Sequence, residues 1–274
     1  MSIGKLAFTS LLLSISLLST PGFAEESCSG FGPQAPRDID KHAGTNKRIF
    51  SMAPAYQSMN LCNIHFHTNA EHRAKDFSIH TIAAHHNEGH GDSHGGEDAG
   101  YQCNISQSLT KAELKAPRVN HCKGIKPGDT VEVHWVHSSC DVKPGPGLGS
   151  CLTPKCNNPN LRVETQVFTV VNDPSALNFK DFAYNGNIAN GYHQAKAIPG
   201  NTGTPVEYLG STTGTKFTTK KCSPLEVSWS VRPQCAKVDI SSLSNWCKSN
   251  VFKEEHAHGV RKLVVDSALL STIK

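Results

Sequence analysis

Three histidines stand where they could hold one metal ion. His65 and His67 lie in the run Asn63-Ile64-His65-Phe66-His67-Thr68-Asn69-Ala70-Glu71-His72. His134 lies in Val131-Glu132-Val133-His134-Trp135-Val136-His137. Residues two apart in a β-strand point to one face, so His65 and His67 can present their imidazoles side by side. In the second run Glu132, His134 and Val136 share a face, while Val131, Val133 and Trp135 share the other. Imidazole suits zinc, and three nitrogen ligands with no carboxylate leave one coordination position open, the layout of a catalytic site. A metal-bound imidazole gives its second N–H to an outer acceptor. Glu132 is placed for that role, and Asn63 is the other candidate for it. Each run alone also has a plainer reading: a pair of surface histidines in the first, one satisfied core histidine in the second.

The elements around these runs are short and β-like. Asn60 to His67 alternates as a strand, and so do Thr130 to His137, Leu161 to Val171 and Leu225 to Val231. Lys126-Pro127-Gly128-Asp129 is a turn signal before the second of them. Ile240 to Ser249 fits a short helix with Asp239 as its N-cap. His80 to Gly100 is a His-, Gly- and Asp-rich loop, Asp141 to Asn160 is a Pro-, Gly- and Cys-rich loop, and Asn172 to Lys216 is rich in turns. Strands separated by long loops, with few helical patterns, predict a mainly β single domain with minor helices.

Of the 274 residues, 37% are hydrophobic and the net charge is +4. That charge, with no basic stripe interleaved with aromatics, gives no argument for nucleic acid. Residues 1–24 read as a secretory signal peptide: Lys5, an uncharged stretch from Leu6 to Thr20, then small residues before a cleavage point after Ala24. The stretch is short for a membrane span. Residues 25–274 then form the domain, with no membrane segment and a periplasmic or secreted location. All ten cysteines follow Ala24, and an even count behind an export signal predicts disulfides. Cys151 and Cys156 are close enough in sequence to close a small loop.

His65-Phe66-His67 with Glu71-His72, followed by Glu132-Val133-His134, resembles the carbonic anhydrases. The order of motifs is that of the alpha class, and the compact form of the first block is similar to the delta class. Phe217-Thr218-Thr219-Lys220-Lys221-Cys222-Ser223-Pro224-Leu225-Glu226-Val227-Ser228-Trp229 resembles the alpha-class stretch that carries a gatekeeper threonine, and Leu161-Arg162-Val163 resembles a pocket-wall strand. The resemblance implies a large twisted, mostly antiparallel sheet. It implies zinc on His65, His67 and His134, with a zinc-activated water attacking CO2 to give bicarbonate and a proton. It implies that Thr218 orients the nucleophile and passes its own proton to Glu71, and that Val136, Val163, Phe217 and Trp229 form the apolar wall for CO2. Two departures stand out: Lys220-Lys221 replaces a pair of prolines, and Phe217 stands where leucine is usual. The upstream shuttle histidine of the alpha class has no counterpart between His42 and His65. His85 and His86 in the His-rich loop are the candidate proton shuttles instead, since imidazole titrates near neutral pH; the loop could equally collect metal, and its plainer reading is a solvated loop.

Two rival readings remain at this level. His65-x-His67-x-x-x-Glu71 also fits a cupin-type metal motif on a β-barrel, but no asparagine follows His134 where a cupin needs one. A secreted zinc-binding protein without turnover is the non-enzymatic alternative.

Overall fold

The structure, a computed structural model, describes residues 28, 30–42, 44–48, 50–81, 100–211, 221–260, 264 and 266–273. The strands are β1 (Asn60–Thr68), β2 (Ile79–His80), β3 (Tyr101–Gln102), β4 (Thr130–Ser138), β5 (Leu161–Val171), β6 (Ile188–Ala189), β7 (Tyr192–His193), β8 (Val206–Leu209) and β9 (Val227–Asp239). Among the described residues one α-helix, α1 (Ile240–Lys248), follows β9 directly. Five strands form a single sheet in the order β1-β4-β5-β9-β8. β5 and β9 run parallel, and the other neighbours run antiparallel. The domain is therefore mainly β around a mixed, mostly antiparallel sheet. The edges β1 and β8 do not pair with each other, so among the described residues the sheet is open and not the barrel that a cupin requires.

Strand alternation sorts the side chains into two cores. His65 pairs with His134, His134 with Thr165, and Val136 with Val163, which pairs with Trp229. Directly paired residues share a face, so this face carries the histidines together with Val136, Val163, Val167, Trp229 and Val231, all buried. The opposite face carries Ile64, Phe66, Val131, Val133, Trp135, Phe168 and Val170. That face is covered by α1 through Ile240, Leu243 and Trp246. The helix starts where its sequence signal lies: the Asp239 carboxylate accepts from the Ser242 N–H at 2.9 Å. None of the described helices is long and apolar enough to cross a membrane.

Two expectations about the strands need correction. The strand expected to end at Val231 runs on through Pro233 to Asp239. A proline removes a ladder donor and argues against a sheet interior. Here the register shifts between Thr165 and Val167 of the neighbour, so Pro233 sits in a bulge, and the following Gln234 N–H donates to the Thr202 carbonyl at 3.0 Å. The turn-rich stretch also contains β8, a four-residue edge strand that positions Tyr208 opposite Trp229. Val-Glu-Tyr-Leu is too short between its flanking Gly and Pro residues to announce itself.

Four disulfides hold the loops to this frame: Cys62–Cys151, Cys103–Cys235, Cys122–Cys247 and Cys140–Cys156. Cys151 and Cys156 therefore do not pair with each other. The turn between them, closed by two Thr153–Cys156 backbone hydrogen bonds of 3.0 Å, sends Cys151 to β1 and Cys156 to the end of β4.

At one end of the sheet lies a second buried histidine environment. His137 is fully buried, with Nδ1 at 3.1 Å from the Trp135 carbonyl. It pairs across the strands with Arg162, whose guanidinium binds Glu164 at 2.7 Å and also Glu207. Burial, aided by Arg162, pushes the His137 imidazole down to about 3. Below the ordinary value of 6.5 the unfolded chain takes up a proton that the folded chain refuses. The stability this group contributes is thus complete above that value and is lost as pH falls toward the folded one, by up to about 1.4 kcal/mol per pH unit. Urea unfolding of metal-free protein between about pH 6.5 and 4.5 should show this slope, and His137→Leu should flatten it. An equal slope in the variant would assign the acid sensitivity to other groups.

Candidate metal centre

β1 and β4 bring the three histidines together by register. His65 and His134 are direct cross-strand partners, and His67 lies opposite Glu132. The ring centroids are 5.0 Å apart for His65–His134, 5.0 Å for His67–His134 and 5.2 Å for His65–His67. Each residue can offer a ligand atom within 4.8 Å of the other two. All three are buried, at 9%, 3% and 1% exposure for His65, His67 and His134, so His65 is the most exposed of them.

Hydrogen bonds to the outer nitrogens decide which lone pairs converge. His65 Nδ1 lies 2.6 Å from Asn63 Oδ1. The amide nitrogen of Asn63 donates to the Gly145 carbonyl at 3.2 Å, which fixes the amide orientation and makes His65 Nδ1 the donor. His67 Nδ1 donates to the Gly259 carbonyl at 3.0 Å. His134 Nε2 donates to Glu132 Oε1 at 2.7 Å. The protons are thus on the outer side of each ring. Nε2 of His65, Nε2 of His67 and Nδ1 of His134 carry lone pairs toward one another. His65 Nε2 and His134 Nδ1 are 3.2 Å apart, and two lone pairs at that distance repel unless a cation lies between them. Nitrogens bound to one tetrahedral zinc at about 2.0–2.1 Å stand ~3.3 Å apart. The donor set, the spacing and the three outer acceptors all fit a zinc ion.

His72, Glu132 and His134 form a second, overlapping group of ligand-capable atoms. Its contacts are those of a support. Glu132 Oε1 accepts from His72 Nδ1 at 2.8 Å as well as from His134, and Oε2 accepts from the His72 backbone N–H at 3.1 Å. The Tyr208 hydroxyl donates to His72 Nε2 at 2.7 Å. The carboxylate that would have to bind a metal is already committed to two imidazoles. Burial by itself would raise the Glu132 carboxyl, but the facing His72 and His134 outweigh it and hold the group well below the usual carboxylate range. Glu132 therefore remains an anion with no exposure to water, which favours the proton on His134 Nε2.

The remaining expected residues fall as follows. Glu71 is fully buried, its carboxylate 3.4 Å from His67 Nδ1. Val136, Val163 and Trp229 line the same sheet face as the triad, and Trp229 meets His134 edge-on with centroids 5.4 Å apart. Tyr208 stacks on Trp229 at 10° and 6.2 Å, behind that contact. Thr218, Phe217, His85 and His86 lie outside the described residues. In the sequence His72 shows only as part of a motif, and Tyr208, His258 and Gly259 do not show as site residues. His258 meets His65 edge-on and His67 at a tilt, with centroids 5.7 and 5.8 Å apart, and binds Glu254 at 2.9 Å. Gly259 acts through its backbone carbonyl, for which no side-chain signal exists.

Asn63→Ala removes the acceptor on His65 without touching a ligand. Metal affinity is expected to fall by roughly 10–100-fold with little change in the fold. Competition titration against a chromogenic chelator measures it, and unchanged affinity would remove Asn63 from the supporting shell.

The model of one protein family, described as delta carbonic anhydrase, matches residues 56–242, a span that includes all three histidines. No curated protein and no solved structure matches the chain.

Proposed function

The chain belongs to the delta carbonic anhydrase family, and from that premise we propose that it catalyses the reversible hydration of carbon dioxide to bicarbonate and a proton. His65, His67 and His134 would hold the zinc ion. The observation that carries the reading is the convergence of three imidazole lone pairs, two of them 3.2 Å apart, within the matched span. A zinc ion there would supply the Lewis acidity that makes water a nucleophile near neutral pH.

The chain's own residues do the rest. Asn63, Gly259 and Glu132 accept the outer protons of the three ligands and so fix their tautomers and ring orientations. Val136, Val163 and Trp229, with Phe217, provide the apolar surface that receives an uncharged, nonpolar substrate. Thr218 accepts a hydrogen bond from the nucleophile and donates its own proton to Glu71, which aims the nucleophile at the substrate carbon. His85 and His86 relay the released proton to solvent. Residues 1–24 direct export, and four disulfides suit a periplasmic or secreted location.

The test is stopped-flow CO2 hydration by zinc-loaded protein, with metal content measured on the same sample. One zinc per chain and acceleration far above buffer is the expected result. Full zinc occupancy with no acceleration would leave a zinc-binding protein without turnover.

A further inference from the structure

Cys28 and Cys222 are outside the four disulfides, and both are buried. They touch each other. The Cys222 backbone N–H donates to the Cys28 sulfur at 2.7 Å, and the Cys222 thiol is itself hydrogen-bonded to Cys28. The pair sits in a small apolar cluster with Val264, Leu269 and Leu270. Among the described residues no His, Asp or Glu joins them in a metal-holding group of three.

The backbones carrying the two thiols are already fixed against each other. Gln34 Nε2 donates to the Ser223 carbonyl at 3.1 Å, and the Ser223 N–H returns a bond to Gln34 Oε1 at 3.2 Å. The Ser211 N–H donates to the Pro33 carbonyl at 2.9 Å. Gly210 allows this approach, since a Cβ there would come within 2.7 Å of Ala35 Cα. Segment 28–35 thus grips the chain on both sides of residues 212–220. Every other described cysteine is cross-linked, so the chain matures where an oxidant is available.

We propose that Cys28 and Cys222 form a fifth disulfide, which fastens the N-terminal segment to the chain that follows residues 212–220. The oxidant is an external disulfide, protein-borne or small. Cys28 as thiolate attacks one of its sulfurs, forming a mixed disulfide and releasing one thiol. Cys222 gives up its proton and attacks the Cys28 sulfur, which forms the new S–S bond and releases the second thiol. The two protein thiols lose two protons and two electrons, and the external disulfide takes them up. Cys28 acts first because it is the more exposed of the two, at 6% against 2%, and lines a surface cavity with Lys47 and Arg48. Burial, and then the hydrogen bond to Cys28, push the Cys222 thiol up to about 12, which suits it to the second step only.

The experiment is alkylation of protein purified from an oxidising compartment, denatured without reductant, followed by intact mass and peptide mapping. The four other disulfides in the same sample report that oxidant was present. No alkylated cysteine and a linked peptide joining Cys28 to Cys222 is the expected result. Two alkylated thiols mapping to Cys28 and Cys222 beside four intact disulfides would overturn it, as would either cysteine joined to a different one. The double variant Cys28→Ser/Cys222→Ser should melt roughly 5–10 °C below the fully oxidised protein. Wild type with only this pair reduced should lose most of the same interval, which a loss of thiol packing in the variant would not reproduce.

Discussion

His134→Ala should lose both the metal and the hydration activity while keeping its sheet. His134 would supply one of the three imidazole ligands, and its Nδ1 stands 3.2 Å from His65 Nε2. Deleting it leaves two imidazoles on β1 and one fewer nitrogen to hold an ion. Loss of an outer partner costs roughly 10–100-fold in metal affinity, and loss of a ligand is expected to cost well beyond that. Activity should then fall to that of buffer at micromolar zinc. His134 also packs edge-on against Trp229, so the side chain is part of a core, and some destabilisation comes with the change. Measuring zinc content by elemental analysis and secondary structure by circular dichroism on one sample separates the two effects. Wild-type zinc content and turnover in a folded His134→Ala protein would sink the proposed centre.

The second large effect is expected from Glu132→Ala, which removes an anion that never meets solvent. Glu132 accepts from His134 Nε2, His72 Nδ1 and the His72 backbone N–H. Alanine leaves these three donors buried with no acceptor in that direction. Breaking one side of a buried charge pair costs about 3–5 kcal/mol, and each stranded donor about 1–3 kcal/mol; the two estimates describe overlapping losses and do not add. A destabilisation of about 3–5 kcal/mol is therefore the expectation, together with a fall of roughly 10–100-fold in zinc affinity. Glu132→Gln keeps the volume and one oxygen acceptor, so it should recover much of the stability. It supplies no negative charge to His134 and should not recover the full metal affinity. Chemical denaturation gives the first quantity and chelator competition the second. Equal affinities for wild type and Glu132→Gln would show that the charge on Glu132 does not reach the metal site.

Much of this centre was legible in the sequence because it follows from strand geometry. His-x-His and Glu-x-His each declare one face of a strand, and the register then sets His65 directly against His134. Asp239 as an N-cap before Ile240 to Ser249 likewise announced α1. What was not legible depends on contacts between distant parts of the chain. Nothing in Val206-Glu207-Tyr208-Leu209 says that Tyr208 will reach His72. The last strand, expected to end at Val231, continues past Pro233 as β9 because the register shifts against β5. Cysteine pairing is a matter of three-dimensional approach, so the nearness of Cys151 to Cys156 in sequence misled. The gatekeeper assignment of Thr218 and the shuttle assignment of His85 and His86 rest on resemblance and on residue type.

The hydrogen bond from His67 to the Gly259 carbonyl bears on where the chain can be cut. His65, His67 and His134 lie in the first half of the chain, and Gly259 lies far beyond them. A cut before residue 259 would keep all three histidines and remove the acceptor that sets the tautomer of one of them. Docking of residues 254–260 beside β1 is consequently a condition for a complete site, and a chain truncated before residue 259 is expected to bind metal more weakly than the full chain in chelator competition.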